Sequence, residues 1–130
     1  FGEHVIVDEV EKSLKKTCEK FKDVEIVEYT VGPRIMNQKS KSHHEWFIEF
    51  KSPPSRIKDF EIELDLNMKN LNIYYRDLRK FKILSRLKIT KAKKKSFINF
   101  MKSIGKLGGQ NKVPRLSNNV KLIEKVKSLN

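Results

Sequence analysis

Apolar positions along this chain follow two rhythms, one of three and four residues and one of two. Val7, Val10, Leu14, Cys18 and Phe21 keep the first, which predicts an amphipathic helix over residues 8–22. Asp8 followed three positions later by Glu11 resembles a capping box at its start. Next, Val27, Tyr29 and Val31 alternate with Glu28 and Thr30, the pattern of a half-buried strand that Gly32-Pro33 interrupts or bends. The polar residues 36–42 read as a hairpin loop. Beyond it Trp46, Ile48 and Phe50 alternate with Phe47 and Glu49 in a second strand that ends at Pro53-Pro54. Ser55 is placed to cap a long helix, in which Ile57, Phe60, Leu64, Met68, Leu71, Tyr75 and Leu78 hold helical spacing without a break. Leu87 and Ile89 alternate with Lys88 and Thr90 as a third strand. Phe97, Phe100, Met101 and Ile104 give a short helix with Ser96 as its cap, and Asn119 caps a final helix carrying Leu122, Ile123 and Val126.

The order αββαβαα implies an α+β domain: a small, mainly antiparallel three-stranded sheet covered by helices, with the long helix as its main cover. At 130 residues, with no internal repeat or interdomain linker, residues 1–130 read as a single domain with one modest core. The chain opens Phe1-Gly2-Glu3 without a methionine and reads as a domain excised from a larger protein. No apolar run approaches the roughly 18 residues of a membrane helix, and no signal-peptide pattern is present, so a cytoplasmic protein is expected. The single cysteine, Cys18, lies on the apolar face of the first predicted helix and reads as core filler.

Net charge is +13, from 29 basic and 16 acidic residues, which suits nucleic acid, acidic lipid or a phosphate-bearing small molecule. Lys80, Lys82, Arg86, Lys88, Lys91, Lys93, Lys94 and Lys95 cluster around the third strand. Such a stripe neutralises phosphates in a salt-dependent, sequence-blind way. No zinc finger, RNP-type aromatic pair or helix-turn-helix accompanies it, so a solvated lysine-rich face is the plainer reading, with contact to a partner protein left open. A self-contained enzyme finds little support: the chain has no Walker-type loop, no Gly-Xaa-Ser-Xaa-Gly and no spaced Cys/His set. His43-His44-Glu45 is a poor metal site, because neighbours on a strand point to opposite faces.

One loop has the makings of a site. In Gly108-Gly109-Gln110-Asn111-Lys112-Val113-Pro114-Arg115-Leu116 two glycines permit unusual backbone angles, and Pro114 biases Val113 towards an extended conformation. The segment reads as a shaped loop that projects Lys112 and Arg115. Its Gln-Xaa-Lys-Xaa-Pro-Arg resembles the C-terminal loop of the Gretchen Hagen 3 acyl acid amido synthetases, the auxin-responsive family. Leu71-Asn72-Ile73-Tyr74-Tyr75-Arg76-Asp77-Leu78-Arg79 resembles a second block of that family, Leu87-Lys88-Ile89 with Ser96-Phe97 a third, and Glu45-Trp46-Phe47-Ile48-Glu49-Phe50 its aromatic strand.

The resemblance implies the small, mobile C-terminal domain of an adenylating enzyme related to acyl-CoA synthetases and luciferases. In that family a carboxylic acid and ATP give an acyl adenylate, and an amino acid's amine then attacks it to form an amide. ATP and Mg²⁺ are expected mainly on the N-terminal domain, absent here, so the isolated fragment is expected to be inactive. By resemblance Lys112 is the catalytic candidate, with His4, Gln110 and Arg115 contacting substrate or nucleotide. Tyr75 reads as core, and Arg76 and Arg79 as interdomain or surface contacts. The implied partners are the N-terminal domain and small carboxylic acid and amino acid substrates, with neither membrane nor nucleic acid among them. Two departures stand out: many plant members have a lysine near His4, and the spacing from Phe97 to Lys112 is about three residues shorter than in the plant enzymes. The alternative reading is a standalone basic module that binds nucleic acid or a protein partner.

Overall fold

The computed structural model describes residues 7–34 and 42–103. Within them the chain runs α1 (Val7–Lys20), β1 (Glu25–Arg34), β2 (His43–Ser52), α2 (Ile57–Leu71), α3 (Ile73–Lys80), β3 (Lys88–Lys91) and α4 (Ser96–Ser103). This is the expected α+β arrangement, with one expected helix divided in two. The expected loop at 36–42 lies almost wholly, and the final helix entirely, outside the described residues.

The strands form one sheet in the order β1-β2-β3. β1 and β2 are antiparallel, whereas β2 and β3 are parallel, with Trp46 opposite Ile89. A parallel neighbour requires a crossover, and α2 with α3 supplies it by returning the chain to the end of the sheet from which β2 set out. Ser55 and Asp8, expected from sequence as helix caps, do not serve as caps. Ser55 stands one residue too early, so Arg56 holds the N-cap position of α2 with no side-chain capping bond. Asp8 lies inside α1 and pairs with Lys12 at 2.9 Å, one turn on.

Central strand β2 is buried on both faces over His43–Phe50. Trp46, Ile48 and Phe50 point into the main core, where Val10 and Leu14 of α1, Tyr29 and Val31 of β1, Phe60, Leu64 and Met68 of α2 and Tyr75 of α3 meet them. Trp46 stacks on Tyr29 with ring centres 6.0 Å apart, and Phe60 receives Phe21 and Phe50 edge-on at 5.3 and 6.0 Å. Phe47 points the other way, into a second, smaller cluster with Phe97, Phe100 and Met101 of α4.

β1 departs from simple alternation. The pairing slips between Ile26 and Glu28, which leaves Val27 as the extra residue of a bulge. The bulge brings Ile26 and Tyr29 onto the same face and turns Val27 out to solvent. Gly32-Pro33 does not end the strand, because Pro33 still lies opposite His44 and Arg34 opposite His43. An edge strand can accommodate proline, which has no N–H to give.

The seam between α1 and α2 is polar. Ser13 and Thr17 are fully buried, and each hydroxyl donates to the carbonyl one turn back, Glu9 and Ser13, at 2.8 Å. The Thr17 oxygen also accepts from Asn67 Nδ2 at 2.9 Å. Buried hydroxyls are tolerable because each is bonded.

The expected long helix breaks at Asn72, which is extended at φ −137° and ψ 112°. Its carboxamide oxygen accepts from the Tyr75 amide at 2.7 Å, and its Nδ2 donates to Glu9 Oε1 at 2.8 Å. The backbone bonds Asn72 N to Met68 O and Arg76 N to Asn72 O continue on either side, so the apolar spacing passes through the break unchanged. Periodicity therefore could not reveal it.

Candidate functional site

The side chains singled out from the sequence as site residues, His4, Gln110, Lys112 and Arg115, lie outside the described residues. What the structure does define is the scaffold next to the loop. Residues 104–116 follow directly on α4, and α4 is fixed to the second face of the sheet.

Two carboxylates buried among apolar neighbours organise that face. Glu49 of β2 reaches the N-terminus of α4: its Oε2 accepts from the Lys95 amide at 3.0 Å and its Oε1 from the Phe97 amide at 3.3 Å. The first amides of a helix lack intrahelical partners, and a carboxylate there also meets the positive end of the helix dipole. Lys95, at φ 70°, occupies the position before the helix. Ser96, expected as cap, is already the first helical residue and donates its hydroxyl to Lys93 O at 2.6 Å. Phe97 then packs on Phe47 with ring centres 5.6 Å apart. Four residues earlier on the same face of β2, Glu45 accepts from Thr90 Oγ1 of β3 at 2.5 Å and pairs with Arg34 Nε of β1 at 3.3 Å. Glu45 thereby ties all three strands together.

A second polar group is built into the main core. Asp65 of α2, 3% exposed, accepts the Tyr75 hydroxyl and is gripped by Arg79, with Nε at 3.1 and 3.3 Å and one terminal nitrogen at 2.9 Å. The other terminal nitrogen of Arg79 reaches Leu84 O at 3.4 Å, and Lys69 stands 3.4 Å from the carboxylate. Burial pushes the Asp65 carboxyl up, but bonds from Arg79 and Tyr75 outweigh it and hold the group below its ordinary value. Burial and the nearby Asp65 charge push the Tyr75 phenol up, so it stays a neutral donor. His44 lies over Tyr75 at 5.2 Å, and burial, helped by neighbouring His43, lowers it to about 3, so the imidazole is neutral.

Tyr75 is core, as expected from its place in the apolar stripe. Arg79, expected at the surface or between domains, is instead largely buried: its side chain is 18% exposed and bolts α3 to α2. Arg76 sits at the surface beside Asp77, 3.7 Å away. Sequence reasoning missed Asp65, although a signal existed. Tyr75 and Arg79 are one turn apart on a helix, so both can reach a single acid, and Asp65 adjoins the apolar stripe.

Cys18 is half-buried against the main core, and burial pushes its thiol up, which fits a filler rather than a nucleophile. His43 and His44 occupy opposite faces of β2, and among the described residues no group of three or more His, Cys, Asp or Glu could hold a metal ion. Nor is any helix among them long and apolar enough to cross a membrane. In the basic stripe Lys80, Lys82, Lys88, Lys91, Lys93, Lys94 and Lys95 are exposed, while Arg86 is tied to Glu61 at 3.2 Å. Glu61 also accepts the Ile89 amide at 3.0 Å, which covers a donor on the open edge of β3.

A mixed three-stranded sheet with α1–α3 on one face and a carboxylate-capped α4 on the other defines a class of small α+β domain with solved counterparts. The structure of a GH3.15 acyl acid amido synthetase matches over 93% of this chain with a TM-score of 0.72 and 20% identity. The structure titled AtGH3.15 acyl acid amido synthetase in complex with 2,4-DB matches over 93% with a TM-score of 0.69 and 20% identity. In each case the chain covers 23% of the solved chain's length. The family model for the GH3 family C-terminal domain matches residues 8–121, and the chain belongs to that family. No curated protein matches it.

Proposed function

We propose that this chain is the mobile C-terminal domain of an ATP-dependent acid–amine ligase. The observation that carries the reading is the family match over residues 8–121, which takes in Gln110, Lys112 and Arg115 and leaves His4 outside. In this reading a carboxylate oxygen attacks the α-phosphorus of ATP, taken as its Mg²⁺ complex, and pyrophosphate leaves. An amine then attacks the acyl carbon and AMP leaves. The larger N-terminal part of the protein holds ATP, Mg²⁺ and most of both substrates.

Lys112 acts in the first step, where negative charge builds around the α-phosphate. A compact ammonium on a flexible stem suits a charge that develops during the reaction. Gln110, Arg115 and His4 contact the nucleotide or the substrate, and Arg115 also anchors the loop. The firm seating of α4 by Glu49 and Phe47 supports the reading, because a domain that swings between half-reactions must carry its loop as a rigid body. The acid and the amine stay open at the level of class: a small carboxylic acid and an amino acid.

The test uses the full polypeptide and separates the two half-reactions. Lys112→Ala should cut ATP–pyrophosphate exchange by about 10²–10³-fold and leave aminolysis of a supplied acyl adenylate much less affected. Lys112→Arg should rescue poorly, since a broad planar fork does not replace a point charge. Equal losses in both steps, or none in either, would remove Lys112 from the adenylation step.

A further inference from the structure

The turn that ends α3 is built as a projecting tip. Leu78–Ile83 closes as a Schellman motif: Ile83 N donates to Leu78 O at 3.0 Å and Lys82 N to Arg79 O at 3.2 Å. The motif puts Lys82 in the left-handed region at φ 59°, where glycine is the usual occupant. A lysine there keeps a cation at the apex and costs about 1–2 kcal/mol of backbone strain. On either side stand Phe81, 67% exposed, and Ile83, 63% exposed, the two most exposed large apolar side chains among the described residues. Lys80 completes the run with its ammonium 5.8 Å from the centre of the Phe81 ring. Lys80-Phe81-Lys82-Ile83 thus presents cations and apolar groups in alternation on an exposed turn.

Residues 73–87 hold five basic residues against one acid, Asp77, which lies beside Arg76 at 3.7 Å. The buried bolt formed by Asp65 and Arg79 does not use the four side chains of the tip. Burying two large apolar groups next to two ammonium groups requires a surface that is apolar just beneath a layer of negative charge. Side chains this exposed need a partner that yields around them. A bilayer does so: apolar side chains enter the boundary between headgroups and acyl chains while lysine stems leave their charges among the headgroups.

We propose that the Lys80–Ile83 tip is a peripheral docking site for an anionic membrane surface. The sequence expectation of no membrane partner rested on the lack of a spanning run, and surface contact needs none. The +13 net charge draws the chain towards such a surface from a distance, and the tip sets which part of it makes contact.

The full polypeptide is sedimented with vesicles of phosphatidylcholine alone, or of phosphatidylcholine with about one third phosphatidylserine. Binding is expected only to the anionic set. Lys80→Gln/Lys82→Gln should weaken it by on the order of 30-fold. Phe81→Ser/Ile83→Ser should weaken it by about tenfold or more. Lys15→Gln/Lys16→Gln removes the same charge from the exposed side of α1 and should bind within about twofold of the parent. All these side chains are exposed, so circular dichroism should match the parent. Trp46, the one tryptophan of residues 1–130, is buried, so Phe81→Trp adds an exposed reporter, and the emission it adds over the parent should shift to the blue on anionic vesicles. Equal losses from the α1 pair and the tip pair, binding with no emission shift, or no anionic preference would each overturn the proposal. So would an absence of vesicle binding together with duplex-DNA binding that the tip substitutions abolish.

Discussion

Replacing Arg79 by methionine tests whether the buried bolt between α2 and α3 holds the fold. Methionine keeps much of the stem and removes the charge, leaving Asp65, 3% exposed, with the Tyr75 hydroxyl and the more distant Lys69. Removing one partner of a fully buried ion pair costs about 3–5 kcal/mol. Two features reduce that here. Arg79 is still 18% exposed, so it gives up less hydration when paired, and two other donors remain on Asp65. A loss of about 2–3 kcal/mol is therefore expected, read as a lower urea midpoint with an unchanged slope. Asp65→Asn/Arg79→Met should cost at least about 1 kcal/mol less than the sum of the single changes, because no uncompensated charge is then left in the core. The pH dependence follows from Asp65. Its carboxyl is held below the ordinary 3.8, so its contribution is complete above that value and is lost as pH falls through the depressed folded value. Arg79→Met should weaken this acid limb and Asp65→Asn should remove it. A loss below about 0.5 kcal/mol with additive singles would place the pair among ordinary surface ion pairs and refute the reasoning.

Two further changes probe the same scaffold. Lys82→Gly removes a side chain from the left-handed position at φ 59° and should raise stability by about 1 kcal/mol, while an unchanged or lower urea midpoint would mean that the strain is absent in solution. His44 is buried with its value lowered from 6.5 to about 3, so protonation favours the unfolded chain, and stability should fall as pH drops through that window, by up to about 1.4 kcal/mol per pH unit. His44→Phe keeps a ring over Tyr75 and should flatten the slope between those pH values, and an unaltered slope would assign it to other groups.

The sequence by itself determined the elements and their inward faces. Period-two alternation placed Trp46, Ile48 and Phe50 on one side of β2 and Phe47 and Glu49 on the other, and the structure keeps that division. Three-four spacing put Phe60, Leu64, Met68 and Tyr75 in one core. These features are local, because side-chain direction follows from backbone period alone. Family membership was legible for a different reason: it rests on patterns of residue identities, and the family match spans residues 8–121.

Only the tertiary structure decided the rest. Asn72 divides the long helix because Glu9, far away in sequence, takes up its carboxamide while the helical spacing carries on undisturbed. The bulge at Val27 aligns Ile26 with Tyr29, and β3 is parallel because two helices carry the chain back across the sheet. Arg79 looked like a surface cation until Asp65 and Tyr75 were brought to it, and Glu49 looked like an ordinary polar strand residue until the amides of α4 met it. For Asn72, Arg79 and Glu49 the partner is a polar group on another element. A polar side chain reveals nothing of its role through periodicity, since a hydrogen bond depends on which two groups the fold brings together, and sequence spacing does not record that.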